Sequence, residues 1–218
     1  MIQLVLLSAL VSGMIFLSKK FPEYGGILKG LIFVVIILGL VVMATGLYNG
    51  LVSMRENVNK AWANVESQYQ RRADLVPNLV STVKGAADFE KSTLQAVVDA
   101  RARATSIQID PNKLTAEKLQ EFQQAQGALS TAIGRLLAVA ENYPQLKAVD
   151  AFRDLQVQLE GTENRIQEAR REFNEAAQGY NAGTQKFPRV IFARLFGFEQ
   201  RAYFESDKGS EKAPKVQF

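Results

Sequence analysis

The amino-acid sequence predicts an all-α protein: an N-terminal transmembrane helix that continues into a long antiparallel up-and-down bundle of the four-helix type. Three observations predict it. An apolar run without a charge lies near the start, from Gly30 to Leu47. Apolar residues at alternating steps of three and four fill most of the remainder, the spacing of one helix face. No stretch shows the period of two that a half-buried strand needs.

The membrane span is the first element. With Ile27 and Leu28, the run GLIFVVIILGLVVMATGL reaches about 20 residues, enough to cross hydrocarbon about 30 Å thick. A core helix of a soluble domain rarely stays free of polar residues for so long. The earlier segment, Ile2 to Leu17, is slightly short for a span. It lacks the basic start and the small-residue cleavage site of a signal peptide. A short first span and a helix lying in the interface both remain open for it. Lys19, Lys20 and Lys29 precede the main span and place that side in the cytoplasm, with the larger C-terminal part outside.

Beyond the span, Leu51, Met54, Val58, Ala61 and Val65 form one apolar stripe. Trp62, Tyr69, Val76 and Val83 form a second lane at sevens. The membrane helix is thus expected to continue outward for about 55 residues in all, about 80 Å at 1.5 Å per residue. A second helix is expected over 89–106, with Ser92 and Gln95 as a capping box or Asp88 as an alternative cap. Asp110-Pro111 marks the connection to a third helix at about 115–141. That helix is rich in small residues, among them Gly127, Ala128, Gly134 and Ala138, which permit close helix approach. Tyr143-Pro144 separates it from the fourth. The fourth carries the cleanest seam: Phe152, Leu155, Leu159, Thr162, Ile166, Ala169, Phe173, Ala176 and Tyr180.

Residues 187–204 are more apolar than a tail should be. Phe187, Ile191, Phe192, Leu195, Phe196 and Phe198 fit either an interfacial segment, with Arg189 and Arg194 toward headgroups, or a cap folded over the bundle core. Residues 205–218 read as a flexible tail. Its Val216-Gln217-Phe218 end has the form captured by strand addition. The predicted organisation is therefore 1–26, an apolar segment and basic linker; 27–47, the span; 48–186, the bundle; then the two C-terminal stretches. Gly26 and Gly30, and Gly46 and Gly50, are spaced as small-x3-small pairs that favour helix association in lipid.

Composition narrows the chemistry. The chain has no histidine and no cysteine, which removes imidazole bases, thiol nucleophiles and the commonest transition-metal ligands. A net charge of +4 with both signs interleaved gives no concentrated basic face for nucleic acid. No pair of carboxylates stands at a spacing that signals acid–base work. The sequence reading names no catalytic, cofactor or metal residue.

One polar cluster stands out, RRADLVP at 71–77. Arg72 falls on the buried stripe, where a charge costs several kcal/mol unless it is paired and hydrogen-bonded. The expected network joins Arg72 to Glu163 of the fourth helix, flanked by Asn164, with Arg71 and Asp74 pairing locally. Such pairs fix register more than they add stability. Pro77 then marks a helix break, restarted with Asp74 as its cap, or a kink.

The strings RRADLVPNLV and LEGTENRIQEAR, with YNGLVSMRENVNKAWANVESQYQ before them and FP…ARLFGF after, resemble the bacterial LemA family. The resemblance covers about 150 residues. It implies an N-terminally anchored antiparallel helical bundle of the bacterial cytoplasmic membrane and no known enzymatic activity. The family often has His before Glu where this chain has Phe89-Glu90, so that position offers no base or ligand here. The expectation is a non-enzymatic scaffold that binds lipid and itself as a homo-oligomer, and recruits envelope proteins of unknown identity. An adaptor or sensor for a membrane protease or signalling system is the alternative.

Overall fold

The computed structural model describes residues 9, 11–13, 15–16, 19–20, 24–85 and 90–205. Most of the first apolar segment, Asp88, Phe89 and the tail with its terminal tripeptide lie outside them. Among the described residues from Gly25 on, the α-helices run in order: α1 (Gly25–Lys84), α2 (Lys91–Ser106), α3 (Ala116–Ala140), α4 (Pro144–Lys147), α5 (Asp150–Gln185) and α6 (Arg189–Leu195). A 3-10 turn, Pro111–Lys113, joins α2 to α3. The described residues include no strand, as the period of the apolar pattern requires.

The chain divides into two compact units: Met1–Ser53 with Gly183–Glu199, and Met54–Ala182 with Gln200–Phe218. The first unit holds the apolar half of α1, which is long and apolar enough to cross a membrane and has none of its most apolar window buried. Ile27, Leu31, Phe33, Val34, Leu38, Leu40 and Val41 all face outward. Within this unit α6 brings Phe196 and Phe198 against Tyr48, edge to face at 5.1 and 5.7 Å.

The second unit is built on buried stripes. Val76, Leu79 and Val83 of α1 pack with Val97 and Ala100 of α2, Leu129, Ile133 and Leu136 of α3, and Phe152, Leu155 and Leu159 of α5. Further along, Trp62, Tyr69, Phe122 and Phe173 form an aromatic cluster with ring centroids 5.0–5.6 Å apart. The α5 seam is buried as the spacing predicts, except near its end. There Ala177 replaces Ala176 as the fully buried residue. A straight helix of 3.6 residues per turn drifts from a strict seven-residue repeat, and one position of slip after three heptads is that drift. Thr162 satisfies its buried hydroxyl by donating to the Gln158 carbonyl at 2.7 Å.

Caps differ from expectation at α2. Ser92 does not close a capping box with Gln95; its hydroxyl donates to Glu90, as does that of Thr93, while Gln95 donates to Asp99. The extended Glu90 is the N-cap, and the two hydroxyls hold its carboxyl below the usual range. At α3, Thr115 caps by accepting from the Lys118 amide. The Asp110 carboxylate accepts from the Asn112 amide and shapes the preceding turn.

Of the two readings of Pro77, break or kink, the break is corrected, and so is the cap expected of Asp74. Pro77 does not break the chain: α1 runs through it to Lys84. Asp74 caps no restarted helix. It sits inside α1, exposed, where its carboxylate accepts from Gln70 at 2.8 Å. The small residues of α3 divide from its large ones. Gly127, Ala128, Gly134 and Ala138 are exposed, and Leu119, Phe122, Gln126, Leu129, Ile133 and Leu136 take the inner face.

Candidate functional site

Arg72 lies at the polar centre of the second unit and is 3% exposed. The heptad lane of α1 carries it inward between Tyr69 and Val76, so the guanidinium must find its partners inside. It donates through Nη1 to Glu163 Oε2 at 3.1 Å. It donates through Nη2 to both the backbone carbonyl and the Oε1 of Gln126, at 2.9 and 2.8 Å. Gln126 passes the chain on by donating to the Ala104 carbonyl at 3.2 Å. The guanidinium also stands 5.1 Å from the Tyr69 ring centroid, within cation–π range. One arginine therefore touches α3 and α5 and, through Gln126, the end of α2. Gln126 carried no signal in the sequence beyond sitting on the inner face of α3. Asn164 and Arg71 are exposed, and no hydrogen bond joins them to this centre.

A second guanidinium explains the proline. Pro77 has no amide hydrogen, so the Ala73 carbonyl loses its helical donor. Arg101 of α2 donates Nε to that carbonyl at 2.8 Å. The orphan acceptor is satisfied from outside the helix, and α1 stays unbroken. Sequence reasoning missed Arg101, because only the fold shows which arginine faces which turn.

Beside this centre lies a cavity of about 550 Å³ lined by Glu66, Ser67, Gln70, Thr105, Gln108 and Gln126 among others. Burial pushes the Glu66 carboxyl above its ordinary range. The lining offers hydrogen bonds from amides, hydroxyls and one carboxyl. It offers Ser67 no histidine or lysine as a base.

The C-terminal stretch holds the feature that the sequence hid. Residues 200–205 have no regular secondary structure and are held against α5 by side-chain hydrogen bonds. Asn181 donates to the Arg201 carbonyl and accepts from the Arg201 amide, both at 2.8 Å. Asn174 does the same to Phe204, at 3.0 and 2.8 Å. Arg170 and Gln123 both donate to the Glu205 carbonyl. The Phe204 ring is buried against Trp62 and Phe173, with the Arg170 guanidinium over its face. A signal existed: two asparagines seven apart beside a buried stripe, too polar for packing alone.

Of the aromatic and aliphatic residues singled out near the C-terminus, Phe198 is buried and Phe192 half-buried. Phe187, Ile191, Leu195 and Phe196 are exposed. Gly26, Gly30 and Gly46 have open space where a side chain would begin, while Gly50 faces the Arg189 guanidinium.

Comparison with known proteins agrees with this architecture. The family model of the LemA family matches residues 61–218. The magnetosome protein MamQ of Magnetospirillum gryphiswaldense is 28% identical over 190 residues, which cover 77% of this chain and 69% of that protein. Magnetosome protein MamQ 2 of Paramagnetospirillum magneticum is 30% identical over 175 residues, covering 72% and 64%. Protein LemA of Metamycoplasma hominis is 21% identical over 163 residues, covering 75% and 71%. The chain thus spans about two thirds of these relatives' length, and none of their names describes an enzyme. With the helical fold, the exposed apolar span of α1 and a family match over most of its length, this membrane-associated chain belongs to the LemA family.

Proposed function

We propose that this protein is a non-enzymatic, membrane-anchored helical scaffold that self-associates and gathers other envelope proteins at a bacterial cytoplasmic membrane. One observation carries the reading. The same helix exposes Ile27, Leu31, Phe33, Val34, Leu38 and Val41, yet buries a stripe from Leu51 to Val83. The apolar stretch and the buried stripe follow one another directly in the chain, so the bundle is joined to the anchor by sequence alone.

Two further features support it. Phe187, Ile191, Leu195 and Phe196 form an exposed apolar face on the unit that contains the span, with Arg189 and Arg194 beside them. That composition suits the headgroup boundary, so α6 is read as a second lipid contact. The exposed glycines and alanines of α3, and the open Gly26, Gly30 and Gly46, leave backbones that a second copy can approach closely. The three lysines before the span favour the cytoplasm for that side, which supports an extracytoplasmic bundle.

The test is the mass of the full chain in lipid nanodiscs or mild detergent. A defined particle of several copies is expected. A single copy at all protein-to-lipid ratios overturns the scaffold reading.

A further inference from the structure

The strap formed by residues 200–205 leads to an inference about what holds copies together. Asn174 and Asn181 stand seven residues apart on α5, a rise of about 10.5 Å. Arg201 and Phe204 stand three apart, a step that spans about 10 Å when the chain is extended. The spacings match, so two helical asparagines meet two strap residues in register. Each amide donates to the strap carbonyl and accepts from the amide of the same residue. Contacts of this kind read backbone and are indifferent to side chain. Selection comes from the two anchors. Phe204 enters the slot between Trp62 and Phe173, with ring centroids 6.1 and 5.4 Å away. Arg201 donates to the Asn112 carbonyl at 2.6 Å and lies over the Tyr180 ring.

We propose that this groove is a recognition site for an extended Arg-x-x-Phe peptide, and that in the assembled protein it takes the strap of a second copy. The proposal deepens the self-association reading and rests on it. Every bond in the groove is the same whether the strap comes from its own chain or a neighbour's, so exchange conserves the contacts. The strap begins at Gln200, where the chain passes from one compact unit to the other, shortly after Gly197 turns it with φ +68°. Copies anchored in one membrane raise the effective concentration of each other's straps.

The chain lacks cysteine, which permits a direct test. Gln178 and Tyr203 line one cavity beside the strap. The double variant Gln178→Cys, Tyr203→Cys is oxidised mildly in membranes. Disulfide-linked dimers and higher ladders are expected, and they are lost when Phe204→Ala is added. A disulfide closed only within single chains, or none, overturns strap exchange. A multi-copy particle in nanodiscs in that case leaves self-association standing; a single-copy particle removes both. In a second arm, a labelled peptide of residues 200–205 is titrated onto full-length Phe204→Ala. Binding at least tenfold tighter than to the triple variant with Asn174→Ala and Asn181→Ala is expected. Equal binding, or none, overturns the groove.

Discussion

At the scale of single residues, Arg72 shows why position matters more than charge. It is buried with three hydrogen bonds, and its one anionic partner is only partly so: the Glu163 side chain is 42% exposed. Removing Glu163 leaves a buried guanidinium without its anionic partner. Removing Arg72 leaves a carboxylate that water can reach. Breaking a fully buried pair costs about 3–5 kcal/mol, and the exposure of Glu163 scales Glu163→Ala down to roughly 1–3 kcal/mol. Arg72→Met, apolar and of similar reach, is expected to cost less. Thermal unfolding of the two variants in detergent checks the order, and a double-mutant cycle should give coupling above about 0.5 kcal/mol. Coupling near zero removes the pair as a structural device. The pairing of Arg72 with Glu163 was legible in the sequence because a charge on a buried lane must find a partner on the facing helix. Gln126 was not, since its amide looks like any polar helical residue until the fold brings it against the guanidinium. Glu66 gives a pH-dependent prediction. Burial raises its carboxyl pKa, so the folded chain holds that proton more tightly than the unfolded chain does. Its contribution is best at acid pH and is lost as pH rises from the unfolded value of 4.5 through the raised one. Glu66→Gln should therefore gain in melting temperature relative to the parent as pH rises through that window, then level off. An advantage that shrinks with rising pH contradicts the assignment.

At the scale of elements, the long first helix is the informative one. A proline inside a helix costs about 3 kcal/mol or more, partly through the orphaned carbonyl four residues back. Arg101 covers that carbonyl, which is why α1 remains whole where the local sequence argues for a break. Arg101→Ala should cost about 1–3 kcal/mol, the penalty of an unmet buried acceptor. In a Pro77→Ala background the new amide hydrogen serves the Ala73 carbonyl, and the cost of Arg101→Ala should fall by more than half. Equal costs in the two backgrounds contradict this account. The strap makes the parallel point for α5. Asn174→Ala removes two backbone clamps at once, and hydrogen exchange at the Phe204 amide should rise at least tenfold, since that amide loses its acceptor. Unchanged exchange means that the strap is held by Phe204 burial alone. Periodicity located every long helix but could not see residues 200–205, because a short irregular segment held by side-chain amides has no period of its own.

For the whole molecule, lipid and packing divide the chain between them. Apolar side chains that stay exposed on α1 before Tyr48 need a solvent other than water, and those beyond Leu51 find it in neighbouring helices. Fold class and the membrane helix were legible at the level of composition and period, since both depend on long stretches. The way residues 200–205 are held was not, since it depends on single contacts. The absence of native cysteine allows spin labels to be placed one at a time along α1 of the full-length protein in bilayers. Labels at Leu31, Val34, Leu38 and Val41 should be open to lipid-soluble oxygen and closed to an aqueous nickel complex. Labels at Ser53, Glu56 and Ala63 should show the reverse. Equal access of the aqueous reagent to both sets would contradict the claim that the first half of this helix lies in lipid.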